Sequence, residues 1–502
     1  MVFLGDTVAF VVCTQFNTHK VVRVVERRMM IHLFGQQGNT CHECESLIEV
    51  FKAKFTDEFL VSFMPHTKRG FYKNTKSCGD FFFEGLTTFA PTYFLFTGMA
   101  EIKKIPFSPP RVDALTIAAV TEVLQTGWIT TGPKTTQLER GISAITGDLE
   151  VLCLNSWTNA CELVLRWFGV GPGDEVIVPA YTYAATANIV IHTGATPVLV
   201  DTERDACLTS ATRIAAAITK RTKVIMPVDV GGLPVDYDGI FAAIHDAREH
   251  FQPRTLEQAQ LGRILFLADA AHSFGARYKG RHVGQQADIT GYSFHAVKNL
   301  TTAEGGALVF NLPAPFDNSA VRAALRRSSL HGQTKDALAK TVTGGWRYDI
   351  VEAGYKCNLT DIHAAIGCVE LERYNDTLQV REAICKRYNA HLANDPRFTL
   401  PVLHTEEAIS AYHLYQLRIN GFSETQRDEL IDALAALGIS TNVHFQPLPL
   451  LSFYKNMGFE MADYPNAFEF YANEISLPVW YGLSEEAIDT VCDALKRLVP
   501  LP

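Results

Sequence analysis

Between Glu175 and Phe310, short β-branched runs alternate with helical stretches. The runs cover residues 175–179, 196–201, 223–227, 264–269 and 307–310, and residues 208–220 read as one of the helices between them. Strands that alternate with helices predict an α/β fold with a mostly parallel central sheet covered on both faces. Such sheets bind ligands beyond the carboxyl ends of their strands, so the residues just after each run are the first to inspect for chemistry. After about Thr360 the pattern changes. Residues 361–392 read as one long helix, with Ile362, Ala365, Ile366, Val369 and Tyr374 at helical spacing. A smaller α/β region follows and ends in a helix over about 484–498. The expected organisation is a large ligand-binding domain over 99–365 and a small C-terminal domain over 366–502.

The first 98 residues differ from the rest. They hold 15 of the 31 Phe, including Phe81, Phe82 and Phe83. Residues 21–31 fit a strand or a short helix equally well. Met99 then opens a stretch that reads like a protein start. Residues 1–98 are either an extra module or an upstream stretch translated from a start assigned too early, and the sequence favours the second. The first 16 residues carry Asp6 and lack a basic start, unlike a signal peptide. No apolar run approaches the ~20 residues of a membrane span. The net charge of -9 argues against a general nucleic-acid binder. Cys41, His42 and Cys44 have a metal-like spacing without a second pair, and Cys78 stands alone, so no metal site is expected. The eleven scattered cysteines fit reduced thiols and a cytoplasmic setting.

Four segments carry chemistry. Lys298 lies between an apolar strand and a small-residue turn, where burial would lower its pKa and suit an amine that attacks an aldehyde; a solvated loop lysine is the plainer reading. Asp269 ends an apolar strand, where a lone carboxylate is expensive and a pyridinium nitrogen would keep it ionised; a helix cap gives the same letter. Asn155, Ser156, Trp157, Thr158 and Asn159 open a helix whose N-terminus could take a phosphate. Tyr181 and Tyr183 follow a strand, where an aromatic could stack on a flat ring or simply fill the core.

Taken together, the order and spacing of these segments resemble the DegT/StrS sugar aminotransferases, within the fold-type I pyridoxal-phosphate enzymes. The resemblance runs from about Ile105 to the C-terminus. It rests on Thr126-Gly-Trp-Ile-Thr-Thr-Gly-Pro133, Gly173-Asp-Glu-Val-Ile-Val-Pro179, Asp269-Ala-Ala-His272, Tyr278-Lys-Gly-Arg-His282, Ser293-Phe-His-Ala-Val-Lys298-Asn, Ala303-Glu-Gly-Gly306 and Gly354-Tyr-Lys-Cys-Asn358-Leu-Thr-Asp361. It is nearest to the branch containing the 4-amino-4-deoxy-arabinose and related sugar 4-aminotransferases. The resemblance implies pyridoxal 5'-phosphate as cofactor. Lys298 would join its aldehyde and shuttle a proton, Asp269 would pair with the pyridinium, and His272 would meet the ring face or the phenolic oxygen. Tyr183 would stack, and Thr158, Asn159 and Ser293 would cradle the phosphate. Asn358 would reach the phosphate of a neighbouring subunit, which implies a homodimer with shared sites. Trp157 and Asn159 stand where smaller residues are commoner, and residues 246–260 form a polar insertion expected at the surface.

The implied reaction is a two-stage transfer from glutamate to the keto sugar of a nucleotide-linked sugar, in polysaccharide or glycoconjugate biosynthesis. Trp128, Thr130, Thr131, His331 and His444 are candidate sugar contacts. Sugar dehydratases on this fold carry histidine where Lys298 stands, and lyases resemble the other motifs poorly. A ligand-sensing DNA-binding regulator would need a helix-turn-helix and a basic face, and the sequence shows neither.

Overall fold

The computed structural model describes residues 104–335 and 346–501, together with four strands nearer the N-terminus. Residues 1–97 form one unit and residues 98–502 another. In the first, Phe10–Gln15 pairs antiparallel with Thr18–Arg23, and Met29–Leu33 pairs parallel with Phe59–Phe63. The stretch 21–31 thus contributes to two strands, while Cys41 to Cys44, Cys78 and Phe81 to Phe83 lie outside the described residues.

The second unit is organised by a seven-stranded sheet. Its order is Glu150–Leu154, Gly306–Phe310, Ile289–Ser293, Leu265–Asp269, Thr222–Ile225, Glu175–Pro179 and Thr196–Val200. Gly306–Phe310 runs antiparallel to both neighbours, and the other pairings are parallel. Strands buried on both faces need apolar residues at every position. In Leu265–Asp269, Leu265 and Leu267 pack into one core while Phe266 and Ala268 pack into the other. The continuous apolar runs of the sequence have this two-sided burial as their cause.

A third core lies in the C-terminal part. It is built on the sheet Phe398–Thr399, Tyr415–Ile419 and Glu474–Leu477, with helices Tyr374–Leu392, Glu424–Ala436 and Glu485–Leu498. Ile105 joins this core.

Two features differ from the sequence expectation. The long helix over 361–392 is two helices, Asp361–Glu372 and Tyr374–Leu392, broken at Arg373. Arg373 binds Glu370 and Asp113, and the break turns the Tyr374 hydroxyl onto the carbonyl of Phe274. Ala364 and Cys368 still pack on the large core, whereas Ile384 and Cys385 belong to the C-terminal one. The change of core therefore lies along the second helix rather than at 365/366. The polar insertion contains a docked helix, Leu256–Leu261, whose fully buried Gln258 donates to the Phe168 carbonyl at 2.8 Å.

No helix among the described residues is long and apolar enough to cross a membrane.

Candidate active site

The carboxyl ends of the parallel strands and the start of the antiparallel one converge on a single cavity of about 420 Å³. After Glu150–Leu154 the chain enters helix Trp157–Trp167, capped by Ser156, whose hydroxyl accepts from the Asn159 N–H at 3.1 Å. This helix lies very close to the sheet because two glycines face it. A Cβ on Gly306 would come within 2.4 Å of the Trp157 nitrogen, and one on Gly291 within 2.4 Å of Cys161 Sγ. The N–H groups of Trp157 and Thr158 have no intrahelical acceptor, and both residues line the cavity with Ser156 and Ser293.

Asp269 ends its strand inside the same cavity and is almost wholly buried. Thr186 Oγ1 donates to its Oδ2 at 2.9 Å and the Ala271 N–H donates to its Oδ1 at 3.2 Å. Burial outweighs these bonds and pushes the carboxyl up to about 7. Lys298 is reached through the loop after Ile289–Ser293, where its N–H donates to the His295 carbonyl at 2.9 Å. Burial brings its ammonium down to about 8, against the pull of Asp269. The two groups that most need each other's charge thus share one desolvated space.

Three histidines complete the wall, all held neutral chiefly by burial. His272 Nδ1 accepts from the Gly231 N–H at 3.2 Å, which leaves the ring proton on Nε2. The His413 ring lies 4.4 Å from that of His272, and its Nδ1 meets Asn299 Oδ1 at 2.9 Å. His444 meets Ser476 Oγ through Nδ1 at 2.9 Å. Tyr183 is two-thirds exposed at the rim, 6.0 Å from the Phe445 ring.

Thr158, Tyr183, Asp269, His272, Ser293, Lys298 and His444 are therefore brought together. Asn159 is adjacent, but its side-chain amide donates to Asn155 Oδ1 at 2.8 Å, so its side chain does not line the cavity. A second cluster forms elsewhere. Asn358 Nδ2 donates to Thr131 Oγ1 at 2.7 Å, and Trp128 Nε1 donates to the Thr131 carbonyl at 3.1 Å. Asp361 anchors this turn. Its carboxylate accepts from the N–H groups of Gly132, Lys134 and Thr135 at 2.8–3.0 Å, and its own N–H donates to the Thr130 carbonyl at 3.1 Å. None of Trp128, Thr130, Thr131 and Asn358 lines the cavity, and exposed His331 lies outside both groups. Among the described residues no cluster of three or more His, Cys, Asp or Glu could hold a metal ion.

The family model for the DegT/DnrJ/EryC1/StrS aminotransferases matches residues 110–496. The chain belongs to this family. The Bacillus subtilis spore coat polysaccharide biosynthesis protein SpsC is 36% identical over 399 residues, covering 79% of this chain and 97% of SpsC. The putative sugar aminotransferase Spr1654 from Streptococcus pneumoniae, solved in its PMP form, is 46% identical with a TM-score of 0.76, covering 79% of this chain and 99% of that one. Its PLP form matches equally in fold. Helicobacter pylori PseC, an aminotransferase of pseudoaminic acid biosynthesis, is 27% identical with a TM-score of 0.69 over 79% of this chain and 99% of its own. As a DegT/DnrJ/EryC1/StrS aminotransferase the chain has the fold of the fold-type I enzymes, and its cofactor is pyridoxal phosphate.

The residues present fit that cofactor. A buried carboxylate without a permanent cation suits a ring nitrogen, unpaired helix N–H groups suit a phosphate, and a partly neutral lysine suits an aldehyde. Sequence reading missed Thr186, His413 and Phe445. Thr186 follows Tyr183 by almost one helical turn, and that spacing is the signal for it; His413 and Phe445 come from a distant part of the chain and carry no local signal.

Proposed function

We propose that the protein transfers an amino group from glutamate to the carbonyl carbon of a keto sugar carried on a nucleotide, in polysaccharide or glycoconjugate biosynthesis. The observation that carries this reading is the meeting of Lys298 and Asp269 in one cavity that also receives unpaired helix N–H groups. SpsC belongs to spore coat polysaccharide biosynthesis, PseC is an aminotransferase of pseudoaminic acid biosynthesis, and Spr1654 is a putative sugar aminotransferase, which supports a sugar as the acceptor.

Pyridoxal phosphate, when bound, supplies an aldehyde that takes up the amino group and a ring that withdraws electrons from the reacting carbon. Lys298 would hold the aldehyde and, once released from it, would move a proton at its Nζ; a pKa of about 8 suits it to act as both acid and base at neutral pH. Asp269, its carboxylate fixed by Thr186 and Ala271, would pair with the ring nitrogen and keep it protonated. His272 would offer its Nε2–H to the phenolic oxygen. Ser156, Thr158, Ser293 and the first-turn N–H groups would hold the phosphate, and Tyr183 would cover the ring. Asn358, which does not line its own chain's cavity, serves the phosphate of a second subunit in a homodimer.

The test is a panel of UDP- and dTDP-linked 4-keto and 3-keto sugars offered with glutamate, with products identified by mass spectrometry and NMR. Turnover of free keto sugars but none of the nucleotide-linked ones would overturn the substrate class.

A further inference from the structure

Behind His444 lies a buried polar chain that the reaction described above does not use. Glu474 opens strand Glu474–Leu477 and is wholly buried. Its Oε2 accepts the His444 N–H at 3.0 Å, and its Oε1 meets Ser476 Oγ at 2.5 Å. Ser476 Oγ in turn meets His444 Nδ1 at 2.9 Å. No lysine or arginine forms a salt bridge to the Glu474 carboxyl among the described residues; Arg427 reaches only its backbone carbonyl, at 3.0 Å. The His444 ring lines the catalytic cavity, and its Nε2 has no protein partner among the described residues.

A serine has one hydroxyl proton, so this chain has two arrangements. With Glu474 ionised, the hydroxyl points at the carboxylate, Nδ1 must donate to Oγ, and Nε2 is left bare. With Glu474 protonated, the carboxyl donates to Oγ, the hydroxyl points at Nδ1, and the proton of the neutral ring sits on Nε2. Moving one proton at Glu474 therefore converts His444 from an acceptor to a donor at the cavity wall.

We propose that Glu474 and Ser476 are positioning residues which, with Glu474 protonated, hold His444 as the Nε2–H tautomer and so provide a hydrogen-bond donor for a substrate oxygen. The inference rests on the transfer reaction proposed above. The substrates of that reaction supply acceptors, a keto oxygen on one side and a carboxylate on the other, and a bare Nε2 would have nothing to offer them.

The surroundings favour the protonated form. Burial pushes Glu474 up to about 8. The groups facing it are Arg427 from helix Glu424–Ala436, Tyr181 and Cys207 from the large domain, and His444. Tyr181 and Cys207, which ordinarily titrate above neutral pH, are raised further by burial, and His444 is brought down to about 3 by burial and Lys298. Of this set only Glu474 changes charge near neutral pH. The donor is present below about pH 8 and is lost as pH rises through that value.

Glu474→Gln distinguishes the arrangements. Its carbonyl can accept the His444 N–H while its amide donates to Ser476, which locks the Nε2–H tautomer at every pH. The experiment measures kcat/KM against pH for wild type and Glu474→Gln, with cofactor loading checked by absorbance. Lys298 and Asp269 are present in both, so the difference isolates Glu474. Expected is near-equal activity at pH 7, followed by a wild-type loss above pH 8 approaching tenfold per pH unit that the variant lacks. Running the glutamate and keto-sugar half-reactions separately shows which substrate oxygen is served. Ser476→Ala should lower kcat/KM at pH 7 and below, and should also remove the alkaline limb. The same limb in Glu474→Gln, or a glutamine enzyme that loads cofactor but is dead at pH 7, overturns the proposal. Infrared difference spectra of wild type against Glu474→Gln need no substrate. They should show a protonated-acid carbonyl band at pH 7 that fades through about pH 8. Ionised carboxylate bands at pH 7 overturn the proposal even if the substrate panel succeeds, and the acid band stands even if the panel fails.

Discussion

Replacing Asp269 with Asn should make the cofactor-free protein more stable while removing most of its activity. The carboxyl lies at about 7 in the folded chain against 3.8 for an ordinary aspartate. At ~1.4 kcal/mol per pH unit, ionising it in the fold costs about 4 kcal/mol more than in the unfolded chain. Asparagine removes that penalty and keeps the bond from Thr186, but its amide N–H₂ faces the Ala271 N–H, which costs about 1 kcal/mol. A net gain of about 3 kcal/mol remains, and the pull of Lys298 is already contained in the value of about 7. The sign with pH is definite. The folded carboxyl holds its proton more tightly than the unfolded one, so wild type loses stability relative to Asp269→Asn as pH rises from about 4 to about 7. Above 7 the difference stays level. Denaturant titrations of both cofactor-free proteins at pH 4.5, 6 and 8.5 measure it. With cofactor bound the order should reverse in function. Loss of the charged partner of the ring nitrogen should lower kcat about ten- to 150-fold, the range of ~1.5–3 kcal/mol for a charge-assisted bond. A stability difference that does not change with pH, or normal turnover in Asp269→Asn, refutes the reasoning.

Borohydride reduction of the holoenzyme followed by peptide mapping should place the pyridoxyl group on Lys298, and Lys298→Ala should lose turnover by several orders of magnitude. Mixing Lys298→Ala with a disabling Asn358 variant, under subunit exchange, should restore activity towards about a quarter of wild type if sites are shared in a two-fold dimer; no recovery despite proven exchange would place Asn358 outside the partner's site. Asp361→Ala should destabilise the fold by about 2–4 kcal/mol in denaturant titrations, because it removes a cap and leaves several buried donors unpaired. A chain starting at Met99 should fold and transaminate with unchanged kcat; loss of soluble protein would show that residues 1–98 are needed.

The parts of this protein that could be read from its sequence are those whose cause is local. Two-sided burial writes itself as apolar runs, so the strands ending at Pro179 and Asp269 were visible to within a residue. Asp269 and Lys298 stood out because a charge next to such a run needs a reason. What stayed hidden depends on contacts across the chain. Apolar spacing continues through Arg373, so the break there is invisible until its ion pair with Asp113 is seen. Asn159 has the letter of a phosphate ligand, yet its amide is taken up by Asn155. Asp361 caps a helix more than 220 residues before it, and no window of sequence contains both partners.

The single antiparallel strand has a mechanical consequence. Elsewhere in the sheet the chain leaves a strand at the cavity edge and returns by a long crossover, through a helix in each case except between Asp269 and Ile289, where the short strands Arg277–Tyr278 and Arg281–His282 take its place. Here it leaves at Ser293 and re-enters at Gly306, two residues that face each other in adjacent hydrogen-bonded strands. The loop carrying Lys298 is therefore clamped at both ends, with Phe294 bonded to Gly305 and Thr302 bonded to Phe294. Such a loop can neither lengthen its reach nor tilt as a crossover could. Whatever distance the amine travels during turnover must come from rotation about the methylenes of the lysine itself, pivoting on a stationary Cα.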